Sequence, residues 1–123
     1  MASIFIVEDE LSLLDLYKMV LEAFGFDVMD LAKNGEEAVE KFKSFSKKPD
    51  LIIMDYRMPV KNGIEATKEI LQINNDIKIV FASADLTVEN YARSIGAISF
   101  KKKPFNNEKL ISNIKKALNI TIN

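Results

Sequence analysis

The chain has 123 residues, 48% of them apolar, enough for one compact domain with its own core and too few for a second of similar size. It has no cysteine, which excludes disulfides and thiolate metal sites, and no histidine, which excludes an imidazole base, ligand or pH sensor. With 17 basic against 18 acidic residues there is no net field to attract nucleic acid or an anionic membrane.

In chain order, the first apolar run, Ile4–Val7, is short, solid and rich in Ile and Val, as a strand buried on both faces should be. No basic or cleavable segment precedes it, and no run is long enough to cross a bilayer, so the expected location is the cytoplasm, without membrane insertion. Leu13, Tyr17, Val20 and Phe24 then recur at helical spacing up to a stop at Gly25. Asp27–Ala32 is a weaker strand. Asn34-Gly35 marks the start of a second helix with Ala38, Phe42 and Phe45 on its stripe.

Leu51–Met54 is the third strand, bracketed by Pro49 and Pro59 outside its core run. Ile64, Thr67 and Leu71 form a third helical stripe. Ile77–Ala82, interrupted only by Lys78, is the fourth strand, followed by a stripe of Val88, Tyr91, Ala92 and Ile95. Ala97–Phe100 is a weaker fifth strand, and Leu110, Ile114 and Ala117 mark the last helix. Five βα units in series predict one α/β domain over 1–123: a doubly wound parallel sheet with right-handed crossovers and helices on both faces. Its ligand site is expected beyond the carboxyl ends of the strands.

Those ends carry Glu8-Asp9-Glu10, Asp55, Ser83 and Lys103-Pro104. Taken singly, each has an ordinary structural use. Asp55 would serve as a turn-former, Asp9 and Glu10 as partners of a helix dipole, and Ser83 as a cap. Phe100 would be core and Lys101–Lys103 a solvated basic patch. Taken together at one sheet edge, Glu8, Asp9 and Asp55 would repel one another unless a cation joined them. Oxygen ligands without nitrogen or sulfur favour Mg²⁺. A carboxylate beside Mg²⁺, an ammonium and a hydroxyl suits phosphoryl transfer.

Four segments in register with the βα pattern carry a family likeness: IFIVEDE at Ile4–Glu10, LIIMDYRMP at Leu51–Pro59, FASA at Phe81–Ala84 and FKKKPF at Phe100–Phe105, with Gly63 after the Met-Pro pair. The chain thereby resembles the receiver domains of bacterial and archaeal two-component systems. The resemblance implies a flavodoxin-like sheet of order 2-1-3-4-5. It makes Asp55 the phosphoacceptor, and it gives the metal Asp9 directly, Glu8 through water, Asp55 and the backbone carbonyl of Arg57. Ser83 would follow the phosphoryl group, Lys103 would pair with it and be joined to Pro104 by a cis bond, and Phe100 would be an aromatic switch. The implied donor is the phosphohistidine of a sensor histidine kinase or phosphotransfer protein. The product would switch the face formed by helix 4, strand 5 and helix 5 toward a target the sequence does not name. Such a domain catalyses only its own phosphorylation and slow dephosphorylation and is not a turnover enzyme.

Asn62, Ile98, Ser99, Lys101 and Lys102 depart from common receiver patterns without touching the phosphorylation residues. Two rival classes fit less well. A flavodoxin-like cofactor binder needs a hydroxyl- and glycine-rich phosphate loop where Glu8-Asp9-Glu10 stands, and an aspartyl phosphatase needs two aspartates two residues apart after the first strand. No residues remain in this chain for a DNA-binding output domain; the absence of a linker after the last helix favours a stand-alone receiver, the alternative being a receiver cut from a longer regulator.

Overall fold

The computed structural model describes residues 2–83, 86–103 and 106–119, with side chains except at Leu86 and 99–102. Five strands, β1 (Ser3–Val7), β2 (Asp27–Ala32), β3 (Leu51–Met54), β4 (Lys78–Ser83) and β5 (Ser99–Lys102), alternate with five helices. These are α1 (Leu11–Ala23), α2 (Gly35–Ser44), α3 (Gly63–Ile73), α4 (Glu89–Ser94, after a 3₁₀ turn at Leu86–Val88) and α5 (Asn107–Ala117). All neighbouring strands are parallel, in the order β2-β1-β3-β4-β5 that the resemblance implies.

The solid apolar runs have a two-sided explanation. Side chains of a strand alternate between faces. Ile4, Ile6, Leu51, Ile53, Val80 and Ala82 enter one core layer with Leu14, Tyr17 and Leu21 of α1 and Leu110, Ile111 and Ile114 of α5. Phe5, Val7, Ile52, Met54, Ile79 and Phe81 enter the other, under α2, α3 and α4. A strand covered on both sides has no polar face to display.

Most of the predicted boundaries hold, with four differences. Phe24 is 51% exposed: α1 ends at Ala23 and the chain turns away through Gly25, so Val20 and Leu21 complete the buried face instead. Tyr91 is exposed, leaving Ala92 as the buried residue of the short α4. In α3, Ile70 is buried where Leu71 was expected and Leu71 packs at the margin. The fifth strand starts at Ser99: Ala97 N closes the exit of α4 by donating to Ala92 O (3.0 Å), and Ile98 N already donates to Ile79 O of β4 (2.9 Å), one residue before Ser99 pairs with Val80.

Two local devices fix the sheet. At the amino ends of the central strands, Asp50 Oδ2 accepts from Ser3 N (2.8 Å) and Ser3 Oγ (3.2 Å), while Asp50 N donates to Ser3 O (2.9 Å). On the outer edge of β2, Lys41 Nζ donates to Leu31 O (2.6 Å) and Asp30 Oδ1 (3.2 Å), occupying a carbonyl that an added strand could otherwise use. No helix among the described residues is long and apolar enough to cross a membrane.

Thr67 of α3 is fully buried with its hydroxyl oxygen unpartnered, which costs the desolvation of that group. Thr67→Val keeps the shape and removes the polar atom. It is expected to raise the unfolding free energy by about 1 kcal/mol in urea titrations.

Candidate functional site

The site forms because β1 and β3 stop at the same height and their next residues turn over the sheet edge, while β4 runs two residues further. Val7 and Met54 lie opposite each other in the β1–β3 ladder, so Glu8 and Asp55 follow side by side. Asp55 N still donates to Val7 O (3.0 Å), and Glu8 N to Ala32 O (3.0 Å), so both backbones remain held by neighbouring strands. Ser83 ends β4, buried, and its carbonyl accepts from Lys103 N at 2.8 Å, which fixes the start of the Lys103 side chain.

Carboxylate oxygens of Glu8, Asp9 and Asp55 all lie within 4.8 Å of one another. Glu8 is only 2% exposed and Asp55 is buried, whereas Asp9 faces solvent. Lys103 Nζ sits 2.5 Å from Glu8 Oε1 and 3.5 Å from Asp55 Oδ1, so the ammonium is drawn toward Glu8 and reaches Asp55 more loosely. Glu8 Oε2 also accepts from Glu10 N (3.1 Å), and Asp55 Oδ1 from Tyr56 N (2.9 Å). Burial, then the charge of Glu8, pushes the Asp55 carboxyl up to about 7; Lys103 and the Tyr56 amide oppose the rise. Burial, followed by Glu8, Asp55 and Glu10, likewise pushes the Tyr17 phenol upward.

The loop between β3 and α3 folds tightly back onto the acceptor. Gly63 N donates to Tyr56 O (2.9 Å), and a Cβ on Gly63 would lie 1.9 Å from the Asp55 carbonyl oxygen, so no side chain fits there. Beside the carboxylates, Asp9, Tyr56, Arg57, Met58, Pro59 and Asn62 line an open cleft. The carbonyl of Arg57 therefore belongs to a segment bordering Asp9, as a shared cation site requires.

The fit to a hard divalent cation is good. Three carboxylates converge with one ammonium, an all-oxygen donor set leaves room for waters, and the buried acids are incompletely offset by Lys103. The structure brings together Glu8, Asp9, Asp55 and Lys103, and places Ser83 at the neighbouring strand end. Phe100 lies in β5, its backbone opposite Phe81. The side chain of Phe100 and the Lys103–Pro104 bond lie outside the described residues. Sequence reading placed Tyr17 on a core stripe only, and nothing in its spacing signals that its phenol feels the site carboxylates. Gly35, seen as a helix start, approaches the site loop so closely that a Cβ would sit 2.4 Å from Lys61 O.

Residues 4–115 match the family model described as the response regulator receiver domain. The chain is 39% identical to the chemotaxis protein CheY of Bacillus subtilis over 94% of this chain and 97% of that protein. It superposes with a TM-score of 0.85 on the response regulator protein TrrA of Thermotoga maritima, solved in complex with Mg²⁺ and a beryllofluoride; identity is 36%, covering 95% of this chain and 99% of that one. CheY of Borrelia burgdorferi, solved with CheX, BeF₃ and Mg²⁺, gives a TM-score of 0.89 at 25% identity, covering 94% and 87% of the two chains.

Two substitutions probe this geometry. Asp55→Asn removes a buried carboxylate at constant shape and is expected to stabilise the metal-free protein by about 2 kcal/mol at pH 8. Well below pH 4, under the ordinary aspartate value, folded and unfolded wild type both hold the Asp55 proton. As pH rises from 4 to about 7 only the unfolded chain releases it, so wild-type stability falls and then levels off. The advantage of Asp55→Asn should accordingly vanish toward pH 4 in urea unfolding with a chelator present. Gly63→Ala must push the Asp55 backbone aside and is expected to cost about 3 kcal/mol or more in the same assay.

Proposed function

The chain belongs to the response regulator receiver family of two-component signalling, and from that premise we propose that it is a phosphorylation switch whose acceptor is Asp55. The observation that carries this reading is the ammonium of Lys103, bridging Glu8 and Asp55 beside three converging carboxylates. A structural ion pair would not need three acids for one lysine.

In this reading a carboxylate oxygen of Asp55 attacks phosphorus in line. The new bond joins that oxygen to phosphorus as the phosphorus–nitrogen bond of a phosphohistidine breaks, and the electron pair stays on the departing imidazole nitrogen. Lys103 leaves Glu8 for the incoming phosphoryl oxygens. Asp9, Glu8, Asp55 and the carbonyl of Arg57 would hold Mg²⁺, which when bound offsets negative charge on the transferring group. Tyr56 N remains as a fixed donor at Asp55, and the Gly63 contact keeps the acceptor backbone from recoiling.

Phosphorylation adds charge at the ends of β3, β4 and β5. Ser83 would turn toward the phosphoryl group and Phe100 would fill the space it leaves, shifting the population of packings at α4, β5 and α5. The partners this implies are a histidine kinase or phosphotransfer protein as donor, and a target that reads the shifted face. The domain would catalyse its own phosphorylation and hydrolysis, with no turnover of a separate substrate.

The test is intact-mass spectrometry after incubation with acetyl phosphate. One base-labile phosphoryl adduct is expected with Mg²⁺, none with a chelator, and none for Asp55→Asn. Lys103→Met should slow adduct formation about tenfold or more. An adduct that persists in Asp55→Asn would move the acceptor elsewhere. A folded wild type that neither binds Mg²⁺ nor accepts phosphate would leave the fold without this switch.

A further inference from the structure

The loop that carries Arg57 ends in a strained turn. Lys61 N donates to Pro59 O at 2.8 Å, closing a γ-turn around Val60, whose φ is 69°. Turns of this hand are rare and strained, and a β-branched residue aggravates the crowding. Val60 is 80% exposed, so packing of its side chain does not compensate. A conformation of this kind persists only where the surroundings over-determine it.

Those surroundings converge on Lys61. Its carbonyl accepts from Gly35 N at 2.9 Å, at the first residue of α2. Its ammonium, on a side chain only 18% exposed, lies 3.5 Å from Glu36 of α2 and forms a short ion pair with Glu69 of α3. One residue therefore ties the tip of the loop to two helices through three separate contacts. Immediately beyond it, Asn62 caps α3 by accepting from Glu65 N at 2.9 Å, which fixes the far end of the loop.

We infer that Lys61 is a positioning residue for the cation site: pinned between α2 and α3, it holds the strained turn and so sets where the Arg57 carbonyl stands. This rests on the receiver reading for what the site binds, and adds a residue that touches neither the cation nor the phosphoryl group. Without the clamp, Val60 relaxes to negative φ, the adjoining peptides rotate, and the loop loses its fixed distance from Asp9. A neutral carbonyl ligand contributes only where it is held in place, so the cost falls on metal affinity.

The sign of the effect separates this from simple electrostatics. Removing a positive charge from the domain can by itself only tighten the binding of a cation. The clamp predicts the reverse. Isothermal titration of the full chain with MgCl₂ should show about three- to tenfold weaker binding for Lys61→Met, and most of the affinity restored in Lys61→Arg. Glycine holds positive φ without strain. In a Val60→Gly background the same Lys61→Met change should therefore cost less than about twofold, a non-additivity that a general loss of stability would not produce. Thermal melts verify that each variant is folded, and Lys61→Gln replaces Lys61→Met, with the same expectations, if the latter is not. Unchanged or tighter binding in folded Lys61→Met, or an equal loss in both backgrounds, overturns the inference and leaves the receiver reading intact. A wild type that binds no Mg²⁺ overturns both.

Discussion

Bringing like charges together inside a folded protein is costly, and the arrangement of this molecule follows from how that cost is managed. Glu8 and Asp55 are buried within reach of each other, with Asp9 at the rim and one ammonium among them. The cluster is short of positive charge by design of its position: the strands that deliver it are apolar on both faces and contribute nothing that could neutralise it. A cation is what the site lacks electrostatically. Lys103, closer to Glu8 than to Asp55, can change partner without leaving its place on the backbone beside Ser83.

Backbone hydrogen bonds from Asp55 to Val7 and from Glu8 to Ala32 keep the repelling groups from moving apart. The close approach of Gly63 to the Asp55 carbonyl, where a side chain would not fit, backs the β3 end from the loop side. Rigidity here is the counterpart of electrostatic stress, since a yielding frame would relieve the repulsion and lose the site.

Much of the fold and site was legible in the amino-acid order. The solid runs Ile4–Val7 and Leu51–Met54 identified central strands because burial on both faces leaves a compositional trace. The carboxylates after them were found because parallel strands deliver their next residues to one edge. Where the reading slipped, tertiary constraint had replaced periodicity. Phe24 kept its helical spacing, yet the turn through Gly25 took it off the face. Ala97 is apolar like a strand residue, yet its amide turns back to Ala92 at the end of α4. Tyr17, Gly35 and Lys61 were beyond reach for a different reason. Their importance depends on contacts across the chain, and nothing in their neighbours along the sequence encodes those.

The reciprocal bonds between Ser3 and Asp50 lie at the far end of the sheet from the chemistry, but they share its geometry. Glu8 is five residues beyond Ser3 (8 − 3), and Asp55 is five beyond Asp50 (55 − 50). Counted from that tie, both carboxylates arrive at the same level, like two rulers laid from one zero mark. A slip of one residue would displace Asp55 by about 3.3 Å and send its side chain to the opposite face. The Ser3–Asp50 tie thus acts as a datum for alignment, and part of the accuracy of the acidic edge is set at the other end of the molecule.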